Sequence, residues 1–230
     1  MDIYELEIKI YLLKDIKIVE IQNYLAYFID SVLIEDKDFA KLHGTNKFKY
    51  YCFDSLYPLG TKGVYKKDNV YIFRLRTLDY KLAQYLYENL AKKRTQELQG
   101  LICKVKILKP RLLKKIYTLT PIIIKTEDGY WKNKYNLSYF EEHLKNNLVK
   151  KYNNLYGYKI NNDFQLYNYL KFKNKVPISR NYKNISLLGD AIEIEVAEND
   201  IAQKLAWMAV GCGLGEMNSR GFGSVNYQFY

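Results

Sequence analysis

The chain is 230 residues long, 48% hydrophobic and 27% charged, with 36 Lys and Arg against 25 Asp and Glu and a net charge of +11. That composition describes a soluble globular protein of one large or two small domains, and no run of about 18 apolar residues is present to span a membrane. The positive excess favours a polyanionic partner whose phosphates release counterions, although 30 Lys to 6 Arg with abundant Asn, Ile and Tyr is also the signature of A/T-rich codons.

Residues 2–12 alternate, with Tyr4, Leu6, Ile8, Ile10 and Leu12 on one face against Glu5, Glu7 and Lys9, the pattern of a half-buried strand. Residues 17–33 take helical period and place Ile18, Ile21, Leu25, Phe28, Ile29 and Val32 on one stripe. A polar segment, 35–46, holds His43. Residues 48–53 read as an aromatic strand, Pro58, Gly60 and Gly63 break the chain, and 70–77 form a further strand. A helix follows over 78–93, with Leu78, Leu82, Leu86 and Leu90 at four-residue steps. Residues 101–108 alternate again, Lys104 and Lys106 opposite Cys103, Val105 and Ile107. That order is βαββαβ, the ferredoxin-like unit.

Pro110 opens a basic connector, and no acid occurs between Glu97 and Glu127. A second α+β unit is predicted from Leu119-Thr120-Pro121-Ile122 onward, dividing the chain into domains 1–118 and 119–230. Its elements are short strands at 122–125 and 130–135, a helix from Ser138 to about Tyr152 with Glu141 completing a capping box, strands at 164–173 and 186–197, a helix at 200–210 capped by Asn199, and a last strand at 222–229. Residues 1–120 carry 22 basic and 14 acidic side chains (+8) and residues 121–230 carry 14 and 11 (+3), so the first half is expected to bear more of the anion-facing surface. The first residues, Met1-Asp2-Ile3-Tyr4-Glu5, lack the basic and apolar regions of a secretory leader. Cys52, Cys103 and Cys212 are odd in number and far apart, forming no zinc pair or disulfide framework, and a cytoplasmic location is expected.

Five of the 12 glycines fall within residues 211–225. Such clusters permit positive φ and close backbone approach. The spacing is not a dinucleotide fingerprint, because Glu216 stands where its last glycine belongs and a strand follows, and no G-K-[S/T] is present for a phosphate loop. A tight helix-to-strand turn with a bulge accounts for one G-x-G. The full pattern, Gly213 to Val225, is G-h-G-x5-G-h-G-x-V, where h is hydrophobic. It resembles the glycine-rich loop of the CRISPR-associated RNA-binding (RAMP) superfamily, and within it the repeat-processing endoribonucleases, family six of the Cas proteins.

Of the two histidines, His43 lies beside Gly44 between a helix and a strand, where an imidazole can meet substrate, whereas His143 lies off the Phe140, Leu144 and Leu148 stripe and is expected to face solvent. The resemblance implies an α+β fold of two tandem ferredoxin-like (RRM-like) domains. It implies metal-independent cleavage of CRISPR repeat RNA, a 2′-hydroxyl attacking the adjacent phosphorus to leave a 2′,3′-cyclic phosphate and a 5′-hydroxyl. His43 and Lys47 occupy the family's reactive places. Histidine can take or give the proton, and lysine can stabilise the phosphorane. The family's third member is often a tyrosine on the first helix. Tyr27 is the candidate, Tyr24 an alternative, and a gap-free alignment places Asp30 there. Expected RNA contacts are Gly213, Gly215, Asn218, Ser219, Arg220, Gly221 and Gly223 of the loop, with Lys104 and Lys106 gripping a stem. No cofactor or metal is expected, since the histidines are 100 residues apart and no acidic cluster has ligand spacing. CRISPR repeat RNA is the expected partner, with other subunits of a CRISPR effector complex as further candidates. The rival reading is a non-catalytic RNA-binding subunit of such a complex.

Overall fold

A computed structural model of the chain describes every residue except Asn46 and Asn184, and the side chain of His43 also lies outside the described set. The first unit runs β1 (Ile3–Leu12), β2 (Ile16–Lys17), α1 (Ile21–Leu33), α2 (Lys37–His43), β3 (Tyr51–Phe53), β4 (Val64–Tyr65), β5 (Val70–Thr77), α3 (Tyr80–Asn89) and β6 (Leu98–Leu108). Its antiparallel sheet has the order β3-β5-β1-β6. Numbering only those four strands in chain order gives 2-3-1-4, the ferredoxin-like arrangement. Leu6, Ile8, Ile10 and Leu12 of β1 are fully buried against Ile21, Leu25, Phe28, Ile29 and Val32 of α1, as the two periodicities require. The helix starts later than expected because Lys17 is extended and pairs with Val64, leaving a 3₁₀ turn at Ile18–Glu20. Asp79 caps α3 by accepting from the amides of Lys81 and Leu82. Much of the polar segment holding His43 is helical. Asp36 caps it as α2, with His43 as the final helical residue.

The second unit runs β7 (Leu113–Thr118), α4 (Leu137–Tyr156), β8 (Tyr167–Phe172), β9 (Ile178–Tyr182), β10 (Ile185–Gly189), β11 (Ile192–Val196), α5 (Asp200–Cys212) and β12 (Val225–Phe229). Its four-stranded sheet, β12-β7-β11-β8, repeats the same order, and β9 and β10 form a separate hairpin. The fold is therefore tandem ferredoxin-like.

The change of sheet falls between Leu108 and Leu113, earlier than the expected division after 118, because the basic connector contains the first strand of the second sheet. Its register explains why alternation hid it. Tyr227 faces Ile116, Gln228 faces Lys115, and then Phe229 skips to Leu113, so buried Leu113 and Ile116 stand three apart rather than two. Residues 122–125 and 130–135 form isolated bridges and a 3₁₀ turn instead of strands. Their backbone follows Asp190, a fully buried carboxylate accepting from the Tyr130 hydroxyl, Trp131 Nε1, Lys132 Nζ and Asn174 Nδ2 at 2.8–3.0 Å. Asp190 also divides the expected 186–197 strand into β10 and β11. The cap of α4 is Asn136, not Ser138, since its Oδ1 accepts from the Tyr139 amide at 3.0 Å. Glu141 accepts from the Tyr167 hydroxyl rather than closing a capping box.

Helix α5 joins the two units. It packs on β1, β3 and β5 of the first sheet and on β7, β11 and β12 of the second, and residues from Leu205 to Cys212 are buried on every side. A Cβ at Gly211 would lie 2.3 Å from Leu78 Cδ2. The glycine-rich segment that follows is thereby delivered to the junction of the units.

Candidate functional site

The glycine segment is a folded knot rather than an open loop. Gly213, Gly215, Gly221 and Gly223 all have positive φ, from +62° to +83°. A Cβ at Gly223 would sit 1.9 Å from the Leu214 carbonyl oxygen, and one at Gly221 2.4 Å from the Phe53 ring. The amides of Gly213, Gly221 and Gly223 donate to the carbonyls of Ala209, Asn218 and Pro121. These glycines serve close backbone packing, and those three amides are already engaged.

Asn218 lies inside the knot. Its Nδ2 donates to the Leu214 and Phe222 carbonyls at 2.8 and 3.0 Å, and its Oδ1 accepts from Lys151 Nζ at 2.7 Å. The Lys151 ammonium, 4% exposed, also donates to the carbonyls of Gly213 and Gly215 at 3.0 Å each. Burial pulls its pKa below the ordinary lysine value. The three acceptors match the three N–H groups of an ammonium, which a neutral amine cannot supply.

The knot forms one wall of a cleft of about 760 Å³. The other walls are Thr45 and the residues from Lys47 to Tyr51, the α4 face carrying His143, Asn146, Asn147 and Lys150, and the β9–β10 tip with Tyr182 and Lys183. Lys47, Lys49, Lys125, Lys150, Lys183 and Arg220 line it, with Glu216 as the lining carboxylate. Such a lining concentrates positive potential where a polyanion can enter. Among the described residues, the buried Asn147 Oδ1 at the cleft has no hydrogen-bond partner.

The structure gathers some of the expected site residues and separates others. Lys47 is exposed and lines the cleft four positions after His43, and the intervening turn is fixed by Thr45 Oγ1, which donates to the Leu42 carbonyl at 2.8 Å. Ser219 and Arg220 stand at the lip. Arg220 is paired with Asp30 of α1, so that position carries an ion pair. Tyr27, 60% exposed, faces two neighbouring depressions and does not line this cleft. Lys104 and Lys106 lie on β6 opposite Glu7 and Glu5. Three strand spacings, roughly 14 Å, separate them from β3, which packs beside the knot.

Other cleft residues carry no clear mark in the sequence. His143 does not simply face solvent. Its side chain is 27% exposed, and its Nε2 lies 3.4 Å from Glu216 Oε1, while Glu216 Oε2 accepts from the Lys125 amide at 2.7 Å. Lys151 did leave a signal, because it falls on the apolar stripe of α4 with Leu144, Leu148 and Tyr152. The cysteines are not nucleophiles in waiting. Burial pushes the Cys52 and Cys103 thiols up to about 12 and raises Cys212 as well. Among the described residues no group of three His, Cys, Asp or Glu side chains is placed to hold a metal ion, and no helix is long and apolar enough to cross a membrane.

With this geometry in place, comparison with known proteins identifies the lineage. The family model for CRISPR associated protein Cas6, C-terminal, matches residues 104–227. Two curated proteins of Methanocaldococcus jannaschii are similar over most of the chain. CRISPR-associated endoribonuclease Cas6 1 is 31% identical over 89% of this chain and 84% of its own, and CRISPR-associated endoribonuclease Cas6 2 is 26% identical over 84% and 87%. A solved structure described as CRISPR associated protein Cas6 superposes with a TM-score of 0.73 at 26% identity, covering 98% of this chain and 99% of that one. The chain belongs to the Cas6 family of CRISPR-associated proteins.

Proposed function

We propose that this protein is an endoribonuclease that binds and cuts CRISPR repeat RNA without a metal ion. The observation that carries the reading is the basic cleft at the junction of the two units, which collects the segment after α2, the glycine knot and α4 around one space. Relatives named as CRISPR-associated endoribonucleases support it.

In the proposed reaction the ribose 2′-oxygen bonds to the adjacent phosphorus while the bond from phosphorus to the 5′-oxygen breaks. One proton leaves the 2′-hydroxyl and one reaches the departing 5′-oxygen, so the products are a 2′,3′-cyclic phosphate and a 5′-hydroxyl. His43, at the end of α2, moves one of these protons, since an imidazole can both accept and donate one. Lys47 stabilises the charge that grows on the phosphorane oxygens. Lys150, Lys183 and Ser219 hold the flanking backbone, and the lip ion pair of Arg220 fixes the entry. Gly213, Gly215, Asn218, Gly221 and Gly223 shape the wall rather than touch phosphate. Tyr27 lies outside the cleft and receives no part in the chemistry.

The test is incubation of the purified protein with the host's repeat RNA in EDTA, followed by analysis of product ends. Fragments ending in cyclic phosphate and beginning with 5′-hydroxyl are expected. Tight binding with no cutting would instead make the protein a non-catalytic RNA-binding subunit.

A further inference from the structure

We propose that a single-stranded RNA segment flanking the cleavage junction binds in a second groove, running from the Arg220 lip across α1 to the turn before β6. This rests on the reading of the main cleft as an RNA site. Beside that cleft lies a depression of about 450 Å³ between the β9–β10 tip and α1, and beyond it another of about 890 Å³. The three are not independent. The main cleft and the first depression share Tyr182, Lys183 and Arg220, and the first and second depressions share Tyr27 and Gln96. Shared walls make them one continuous path along the surface of α1.

The chemistry of the path suits a single strand. Lys183 stands at its start, and Lys67 and Arg94 stand at its far end. Lys93 there pairs with Glu35, and Asp68 accepts from the Tyr11 hydroxyl at 2.8 Å. Midway, the 60%-exposed Tyr27 offers a face on which a base can stack. A duplex, stiff over tens of base pairs, cannot follow a bend around one helix, whereas an unpaired strand can. An exposed tyrosine between two cationic ends is the arrangement that non-sequence-specific single-strand binders use.

The experiment compares two RNAs, one trimmed to the cleavage junction and its immediate pairing, and one extended by about ten nucleotides on each side, within the site sizes of single-strand binders. Wild type is expected to bind the extended RNA about tenfold more tightly. Tyr27→Ala and the double variant Lys67→Ala/Arg94→Ala should each abolish that advantage. The double variant should also flatten the log–log salt slope on the extended RNA by about 1.4, at about 0.7 for each phosphate no longer neutralised, while cutting the trimmed RNA at the wild-type rate. Wild-type affinity and salt slope of the double variant on the extended RNA would overturn the groove. If wild type cuts both RNAs but binds them equally, only the groove fails. If it neither binds nor cuts either, the reading of the main cleft fails with it.

Discussion

Replacing Lys151 by Met tests whether the glycine knot is held by a buried ammonium. Methionine has similar length and no charge, and it packs readily in irregular space. The variant strands three acceptors, the carbonyls of Gly213 and Gly215 and the Asn218 amide oxygen, in a site where Lys151 is 4% exposed. Hydrogen bonds from a charged donor contribute about 1.5–3 kcal/mol each, but the native fold also bears the cost of burying the ammonium, so the three do not simply add. A net loss of about 3 kcal/mol follows, a large part of the roughly 5–15 kcal/mol that holds a typical domain. At about 2–4 °C per kcal/mol for a chain of this size, the melting temperature should fall by roughly 10 °C. Asn218→Ala removes a shared partner, so in a double-mutant cycle followed by thermal denaturation the two losses should be non-additive by about 0.5–3 kcal/mol. An unchanged melting temperature in Lys151→Met would refute the reasoning, leaving the knot's shape to its backbone geometry alone.

Three further outcomes follow. His43→Ala should abolish RNA cutting in EDTA while leaving repeat binding nearly intact, and Lys47→Ala should slow cutting by about 10²–10³; unchanged cutting by His43→Ala would remove that imidazole from the mechanism. Asp54 is buried, accepts from the Arg74 amide at 2.7 Å, and has its carboxyl pushed up to about 7 by burial. Because the folded state holds that proton more tightly than the unfolded chain, the contribution is fully present below about pH 4 and lost as pH rises to about 7, by up to about 4 kcal/mol. Asp54→Asn should therefore match wild type in denaturant titrations at about pH 4 and exceed it at about pH 8, and equal stability at the higher pH would contradict the sign. Gly157→Ala, at φ +73° with open space for a Cβ, should cost about 1 kcal/mol, whereas Gly223→Ala, 1.9 Å from the Leu214 oxygen, should cost about 3 kcal/mol or more by calorimetry; similar losses would mean that crowding in the knot is unimportant.

Much of the first unit was legible because its signals are local. The alternation of β1 and the stripes of α1 and α3 each follow from which neighbours a side chain meets within a few residues. The second unit was harder to read where long-range constraints override local pattern. A bulge opposite Phe229 disguised β7, and the carboxylate of Asp190 drew residues 122–135 into turns and divided one expected strand in two. At the site, the glycine spacing marked the segment that closes into the knot, whereas His43 and Lys47 were named by the family resemblance, and the side chain of His43 lies outside the described residues. The same spacing suggested Asn218 as an RNA contact, although its amide is used inside the knot. Nothing local placed Tyr27 outside the cleft or His143 within it.

By itself, then, the sequence determined the periods of its strands and helices, the excess of positive charge, and the glycines whose backbone angles only a residue without a Cβ adopts freely. Those properties depend on the chain's own stereochemistry over a few residues. Tertiary structure alone decided that Lys151 meets Gly213, 62 positions away, and that α4, the knot and the segment after α2 enclose one cleft. Such meetings depend on how two sheets pack against α5, and no short stretch of the chain encodes that packing.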